Sequence, residues 1–111
     1  MTKANNKDIH RIRQLNDQFR ATFSGGEVVK TIGVERLTPS EYKELKTSIQ
    51  SYNSFSDTKQ DDHSFGRIFL GNWEFCFKID YYCNQKLKFS DNPADDKNTK
   101  RVLTIAKSLK A

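Results

Sequence analysis

The run Trp73-Glu74-Phe75-Cys76-Phe77-Lys78-Ile79-Asp80-Tyr81-Tyr82 decides the fold. In an extended chain successive side chains point to opposite faces. Trp73, Phe75, Phe77, Ile79 and Tyr81 therefore share one face, and Glu74, Cys76, Lys78, Asp80 and Tyr82 share the other. Alternation of this length predicts a strand with one buried face. Upstream, Gly71-Asn72 reads as a two-residue turn and Phe65 to Leu70 as a second strand; glycine at the first central position suits a type II′ hairpin. Downstream, a turn at Asn84-Gln85 leads to a short strand from Lys86 to Phe89. Three strands joined by short turns predict an antiparallel meander, whose aromatic face something must cover.

Amphipathic helices are available for that. Ile9, Ile12, Leu15, Phe19 and Phe23 recur at three and four residues, with Asn5 and Asn6 as candidate caps and Ser24-Gly25-Gly26 as the stop. Thr38-Pro39-Ser40-Glu41 combines a capping box with proline at the first helical position, and Tyr42, Leu45, Ile49 and Tyr52 follow as the buried stripe. A last helix is expected after Asp95-Asp96, with Val102, Ile105, Ala106 and Leu109 inward. Between the first two helices, the β-branched stretch Glu27 to Val34 predicts a strand. The order is α-β-α-β-β-β-α. It defines an α+β domain in which a small antiparallel sheet, a meander of about four strands, packs on two or three amphipathic helices. One domain spans residues 1–111, with 1–6 as a flexible tail.

A chain of 111 residues supports one core. Its apolar fraction is 35%, but eight Phe, four Tyr and one Trp supply large buried areas. No apolar run is long enough to span a bilayer, and no signal peptide is visible, so a cytoplasmic protein is expected. Cys76 and Cys83 lie about 23 Å apart if the strand continues through both, too far for a disulfide, and no further cysteine exists to build a zinc knuckle. The net charge is +5, distributed as +3 over residues 1–24, −2 over 25–85 and +4 over 86–111. Basic ends point to a polyanion or to an acidic patch on another protein.

Several segments carry a family resemblance: Arg13 to Arg20, Phe23 to Gly26, Asp62-His63-Ser64-Phe65-Gly66, Phe77 to Tyr82, Asn92-Pro93-Ala94-Asp95 and Arg101 to Ile105. Together they resemble an uncharacterised proteobacterial family, a domain of unknown function. Its members are small proteins often encoded on plasmids and other mobile elements, beside antirestriction and conjugation genes. Cys83 stands where the family has an acidic residue, and Asp61-Asp62 where it commonly has glycine and glutamate. The resemblance carries no activity; its genomic context implies interference with host defence.

The candidate sites are three. Asp61, Asp62 and His63, with Asp80, are the weak candidates for acid–base chemistry; their spacing matches no metal-ligand pattern, and no cofactor is expected. Glu74, Lys78, Asp80 and Tyr82 line a candidate groove on the less apolar strand face. Arg11, Arg13 and Arg20 on the first helix, with Lys97, Lys100, Arg101 and Lys107 on the last, form a candidate basic partner-binding surface. The sequence thus favours a small non-enzymatic interaction protein of a mobile element. It would inhibit a defence system, of the anti-CRISPR or antirestriction type, by steric binding to a protein or ribonucleoprotein. The alternatives are a nucleic-acid-binding accessory protein and a small enzyme using the Asp61-Asp62-His63 corner. Neither a membrane partner nor a particular oligomeric state is indicated.

The face assignment is testable. Phe77→Ala is expected to cost about 3–5 kcal/mol, and Glu74→Ala under about 1 kcal/mol, in urea melts. Equal midpoints for the two variants would reverse the assignment.

Overall fold

The computed structural model describes residues 6–55, 61–83 and 89–108. Helix α1 spans Asn6–Thr22, strand β1 Glu27–Lys30, the one-turn helix α2 Ile32–Glu35 and helix α3 Pro39–Gln50. Strands β2 (Phe65–Leu70) and β3 (Trp73–Cys83) form the hairpin, and a 3₁₀ turn at Asp96–Asn98 leads into β4, Thr99–Lys107. The fold is α+β, as the sequence predicts, with the expected number of strands. Its sheet is mixed rather than wholly antiparallel, in the order β1-β4-β3-β2. The described residues contain no helix long and apolar enough to cross a membrane.

Local chemistry explains the elements. In α3 the Thr38 hydroxyl accepts from the Glu41 amide at 3.1 Å while the Glu41 carboxylate accepts from the Thr38 amide at 2.9 Å, with Pro39 opening the helix. Gly71 takes φ +61°, while Asn72 stays at negative φ, as a II′ turn requires. Phe75, Phe77 and Ile79 point to one side of β3, and meet Ile68 of β2 and Leu103 and Ile105 of β4. Phe19 of α1, Val34 of α2 and Leu45 and Ile49 of α3 close over them. All three helices thus contribute to the core on one face of the sheet.

Three expectations are corrected. The predicted last helix is a strand: β4 runs antiparallel to β3 and parallel to β1 and holds the centre of the sheet. No residue of β4 is exposed, because neighbours flank both its edges. A central strand of this kind loses the polar alternation that reveals edge strands. Its Thr99, Val102, Thr104 and Ile105 are β-branched, which favours the extended chain over a helix. The predicted first strand stops at Lys30; Ile32–Glu35 turns into α2, which buries Val34. The sheet is not a wholly antiparallel meander, because β1 pairs parallel to β4. Lys86 to Lys88 and the turn at Asn84-Gln85 lie outside the described residues, as does 1–5 of the expected tail; Phe89 forms an isolated antiparallel bridge to Tyr82.

Gly66 sits where β2 crosses the core. A Cβ there would overlap the Phe77 and Tyr52 rings, both of which are held by packing. Gly66→Ala is accordingly expected to destabilise by about 1–3 kcal/mol, read as a lowered urea midpoint at unchanged slope.

Candidate functional site

Six residues separated by up to 85 positions meet at one end of the sheet. Arg101 occupies a buried position of β4 and is 1% exposed. Its Nε donates to Asn16 Oδ1 at 2.9 Å, one terminal nitrogen donates to the Pro93 carbonyl, and the other lies 3.4 Å from Asp96. Its guanidinium carbon lies 5.5 Å from the centroid of the Tyr81 ring. Asn16, itself fully buried, donates to the Asp62 carbonyl at 2.9 Å and to the Tyr81 hydroxyl at 2.7 Å. Tyr81 in turn donates to the Asp62 carboxylate at 2.7 Å. Helix α1, the loop before β2, and strands β3 and β4 are therefore joined by one polar network. Partial satisfaction of such a network in a low-dielectric interior would be costly.

The Asp-His corner grows from it. The Asp61 carboxylate accepts from the His63 amide at 2.8 Å and the Asp62 carboxylate from the Ser64 amide at 3.1 Å. These two Asx turns bend the chain and hold His63 at φ +62°. The His63 ring stacks on Phe55, with centroids 4.0 Å apart, and its Nδ1 lies 3.0 Å from an Asp17 oxygen that also receives Arg20 at 3.0 Å. A carboxylate facing Nδ1 places the proton there in the neutral imidazole, and Nε2 then carries the lone pair. This is the arrangement of a carboxylate-oriented general base. The sequence candidate therefore comes together only in part. His63 works with Asp17, whereas Asp61 and Asp62 hold the turn. Asp80 lies on the opposite sheet face, 3.5 Å from Lys78. Among the described residues, no group of three or more His, Cys, Asp or Glu side chains is placed to hold a metal.

The basic surface changes more. Arg20 is 6% exposed and lies 4.8 Å from the Phe55 ring centroid, with a terminal nitrogen donating to the Tyr52 carbonyl at 3.1 Å. Arg101 is internal because its predicted helix is a strand and its position faces the core. Lys100 pairs with Glu27 at 3.1 Å, Lys107 covers the Trp73 ring with its ammonium 3.4 Å from the centroid, and Arg13 donates to the Asp61 carbonyl. Arg11 and Lys97 remain exposed. Of the two expected basic helices only the first forms, since β4 stands in place of the second.

The four groove candidates Glu74, Lys78, Asp80 and Tyr82 do share a face, and it is the one away from the helices. Cross-strand neighbours share a face. Phe65, Arg67 and Phe69 stand opposite Lys78, Cys76 and Glu74, and Val29 of β1 stands opposite Thr104 of β4. Phe69 is 68% exposed and Phe89 62%, the latter stacked on Tyr82 with centroids 5.3 Å apart. Burial and the nearby Glu74 carboxylate push the Cys76 thiol up, away from the thiolate form, and neither Cys76 nor Cys83 is in a disulfide.

Sequence reasoning overlooked Asn16, Asp17, Phe55 and Tyr81 as members of the corner. A signal existed for one of them: the four-residue steps Ile12–Asn16–Arg20 place Asn16 and Arg20 on the same side of α1 as the apolar stripe.

Geometry thus defines a small α+β protein with a helix-covered face, an uncovered face and a polar corner between α1 and the sheet. The model of the family described as "Protein of unknown function (DUF3768)" matches residues 30–109, and the chain belongs to that family. No characterised protein and no solved structure matches the chain.

The network predicts an alkaline signature. Burial foremost, then the charge and hydrogen bond of Asp62, push the Tyr81 phenol far above its usual value, against the opposing pull of Asn16 and Arg101. Folded Tyr81 then stays protonated where the unfolded chain ionises, so its stabilisation is present below about pH 10 and is lost as pH rises further. Tyr81→Phe is expected to cost about 1–3 kcal/mol at pH 8 by leaving Asp62 Oδ2 without the phenol donor. It should also reduce the fall in stability between pH 10 and 12. An unchanged alkaline slope in urea melts would refute the role given to the phenol.

Proposed function

We propose that the protein is a non-enzymatic binding protein whose working surface is the uncovered sheet face. One observation carries the reading: Phe65, Phe69, Phe89 and Val29 lie exposed around a face whose lysines are already matched by carboxylates. Exposed apolar patches rimmed by polar groups are the usual mark of protein contact, and aromatic anchors dominate interface energetics. Among the described residues of this face Lys78 lies beside Asp80 and Lys100 beside Glu27, which leaves exposed Arg67 for a phosphate and favours a protein surface over bare nucleic acid.

The resemblance carried by the motif segments supplies the class of partner. Relatives encoded on mobile elements beside antirestriction genes support a protein or ribonucleoprotein of a bacterial defence system, of the CRISPR or restriction type, as the target. Binding there would act by obstruction in the cytoplasm. The net charge of +5 weighs against inhibition by mimicry of DNA, which needs dense negative charge. A second reading, a small enzyme, rests on the Asp17–His63 pair, with Nδ1 held by the carboxylate and no described protein group bonding Nε2.

Plating efficiency of phage on hosts carrying a restriction or CRISPR system separates the two. Expression of the wild-type chain is expected to raise plating at least tenfold on one such host. Phe69→Asp should abolish the rise while the unfolding free energy from urea melts changes by under about 1 kcal/mol, as expected for an exposed site. His63→Ala should keep the rise. No rise on any such host, or full activity of Phe69→Asp, overturns the binding reading, and loss in His63→Ala alone promotes the enzyme.

A further inference from the structure

A second surface lies at the other end of the hairpin, on the helix-covered side. A cleft of about 420 Å³ opens between the first half of α3 and the β2–β3 turn. Buried Phe75 and half-buried Leu37 and Leu70 give it an apolar side, and Trp73, Glu41 and Glu44 border it at the surface. Its size is that of a small-ligand site.

The charge of the lining is what identifies an occupant. Among the described residues no lysine or arginine lines the cleft, in a chain that carries 19 of them against 14 carboxylates. Glu41 has a local task, closing the α3 cap through the Thr38 amide. Glu44 has none: its carboxylate is exposed and makes no hydrogen bond or ion pair with any described residue. Trp73 already serves as a platform for a cation, because the Lys107 ammonium stands 3.4 Å from its ring centroid from outside the cleft. The lining thus combines an indole, an apolar wall and two carboxylates. That set matches a side chain with an alkyl stem and a delocalised positive head.

We infer that this cleft binds an arginine side chain of a partner protein, its stem against Leu37 and Leu70 and its guanidinium between Trp73 and Glu44. Arginine is favoured over lysine because its planar, weakly hydrated head both stacks on indole and pairs with a carboxylate. The inference is independent of the uncovered face, from which the cleft is separated by the sheet itself.

Trp73 is the only tryptophan of the chain, so the site carries its own reporter. The full-length protein is titrated with the blocked tripeptide Ala-Arg-Ala and with Ala-citrulline-Ala, which keeps the shape and loses the charge. Tryptophan emission and the NMR shift of the Trp73 indole N–H are both followed. The arginine peptide is expected to give a saturable change in at least one of them. The midpoint should be at least fivefold higher for the citrulline peptide, and likewise for the arginine peptide with Glu44→Gln. Glu44 is an exposed helix residue, so its substitution should leave the fold unchanged, checked by an unaltered urea midpoint. No saturable change in either signal, equal midpoints for the two peptides, or an unchanged midpoint in Glu44→Gln would each overturn the inference.

Discussion

A guanidinium buried near one end of the inner strand β4 is the constraint on which the rest depends. Arg101 cannot lose its charge, so its burial is tolerable only if its nitrogens find acceptors. Asn16, the Pro93 carbonyl and Asp96 supply them from two different parts of the chain. Each acceptor fixes an element: α1 through Asn16, the turn before β4 through Pro93 and Asp96. Asn16 then passes the constraint to Asp62 and Tyr81, and so to the loop that carries His63. Apolar packing makes this domain stable, but the polar chain through Arg101 selects how α1 sits on the sheet. Replacing such a group by a hydrophobe of equal volume could preserve stability, whereas removing one partner alone would strand a buried charge.

The same residue shows where the sequence was legible and where it was not. Patterns made by one element acting alone were visible: the ten-residue alternation of β3, the capping box of α3, the glycine turn, the apolar stripe of α1. The α+β class follows from these. What escaped were properties created by neighbours. Strand β4 has partners on both edges and carries Arg101 inward and Val102 outward, so its polarity does not alternate, and Val102, Ile105 and Ala106 imitate a helical stripe. A helix would put Arg101 on an outer face, whereas the strand holds it inside at 1% exposure. The one-turn α2 is too short to have a period at all.

The candidate corner divides along the same line. His63 is conspicuous beside two aspartates, and proximity in sequence suggested that they act together. In space they have separate tasks, because a carboxylate two residues before an amide closes an Asx turn more readily than it reaches a ring. The carboxylate that does reach the ring, Asp17, comes from α1, 46 positions away, and nothing local announces the pair. Likewise the uncovered face became legible only when β2 and β4 flanked β3, since Phe65 and Phe69 alternate with Gly66 and Ile68 and could have faced either way.

Placing β4 at the centre has a consequence for the order in which the molecule can be made. The strand that joins β1 to β3 comes last of the four in the chain, and β1 pairs with it across about seventy-five residues, Glu27 opposite Val102. While the chain is being synthesised, β1 therefore has no strand to pair with, and the β2–β3 hairpin shows an unpaired inner edge. Pairings this distant are slow because loop closure precedes any reward. Until residue 107 has left the ribosome, the nascent chain exposes two strand edges and the underside of α1, including the Asn16 amide. The four-stranded sheet can close only once β4 is present, and the arginine that locks it arrives with the strand that completes it.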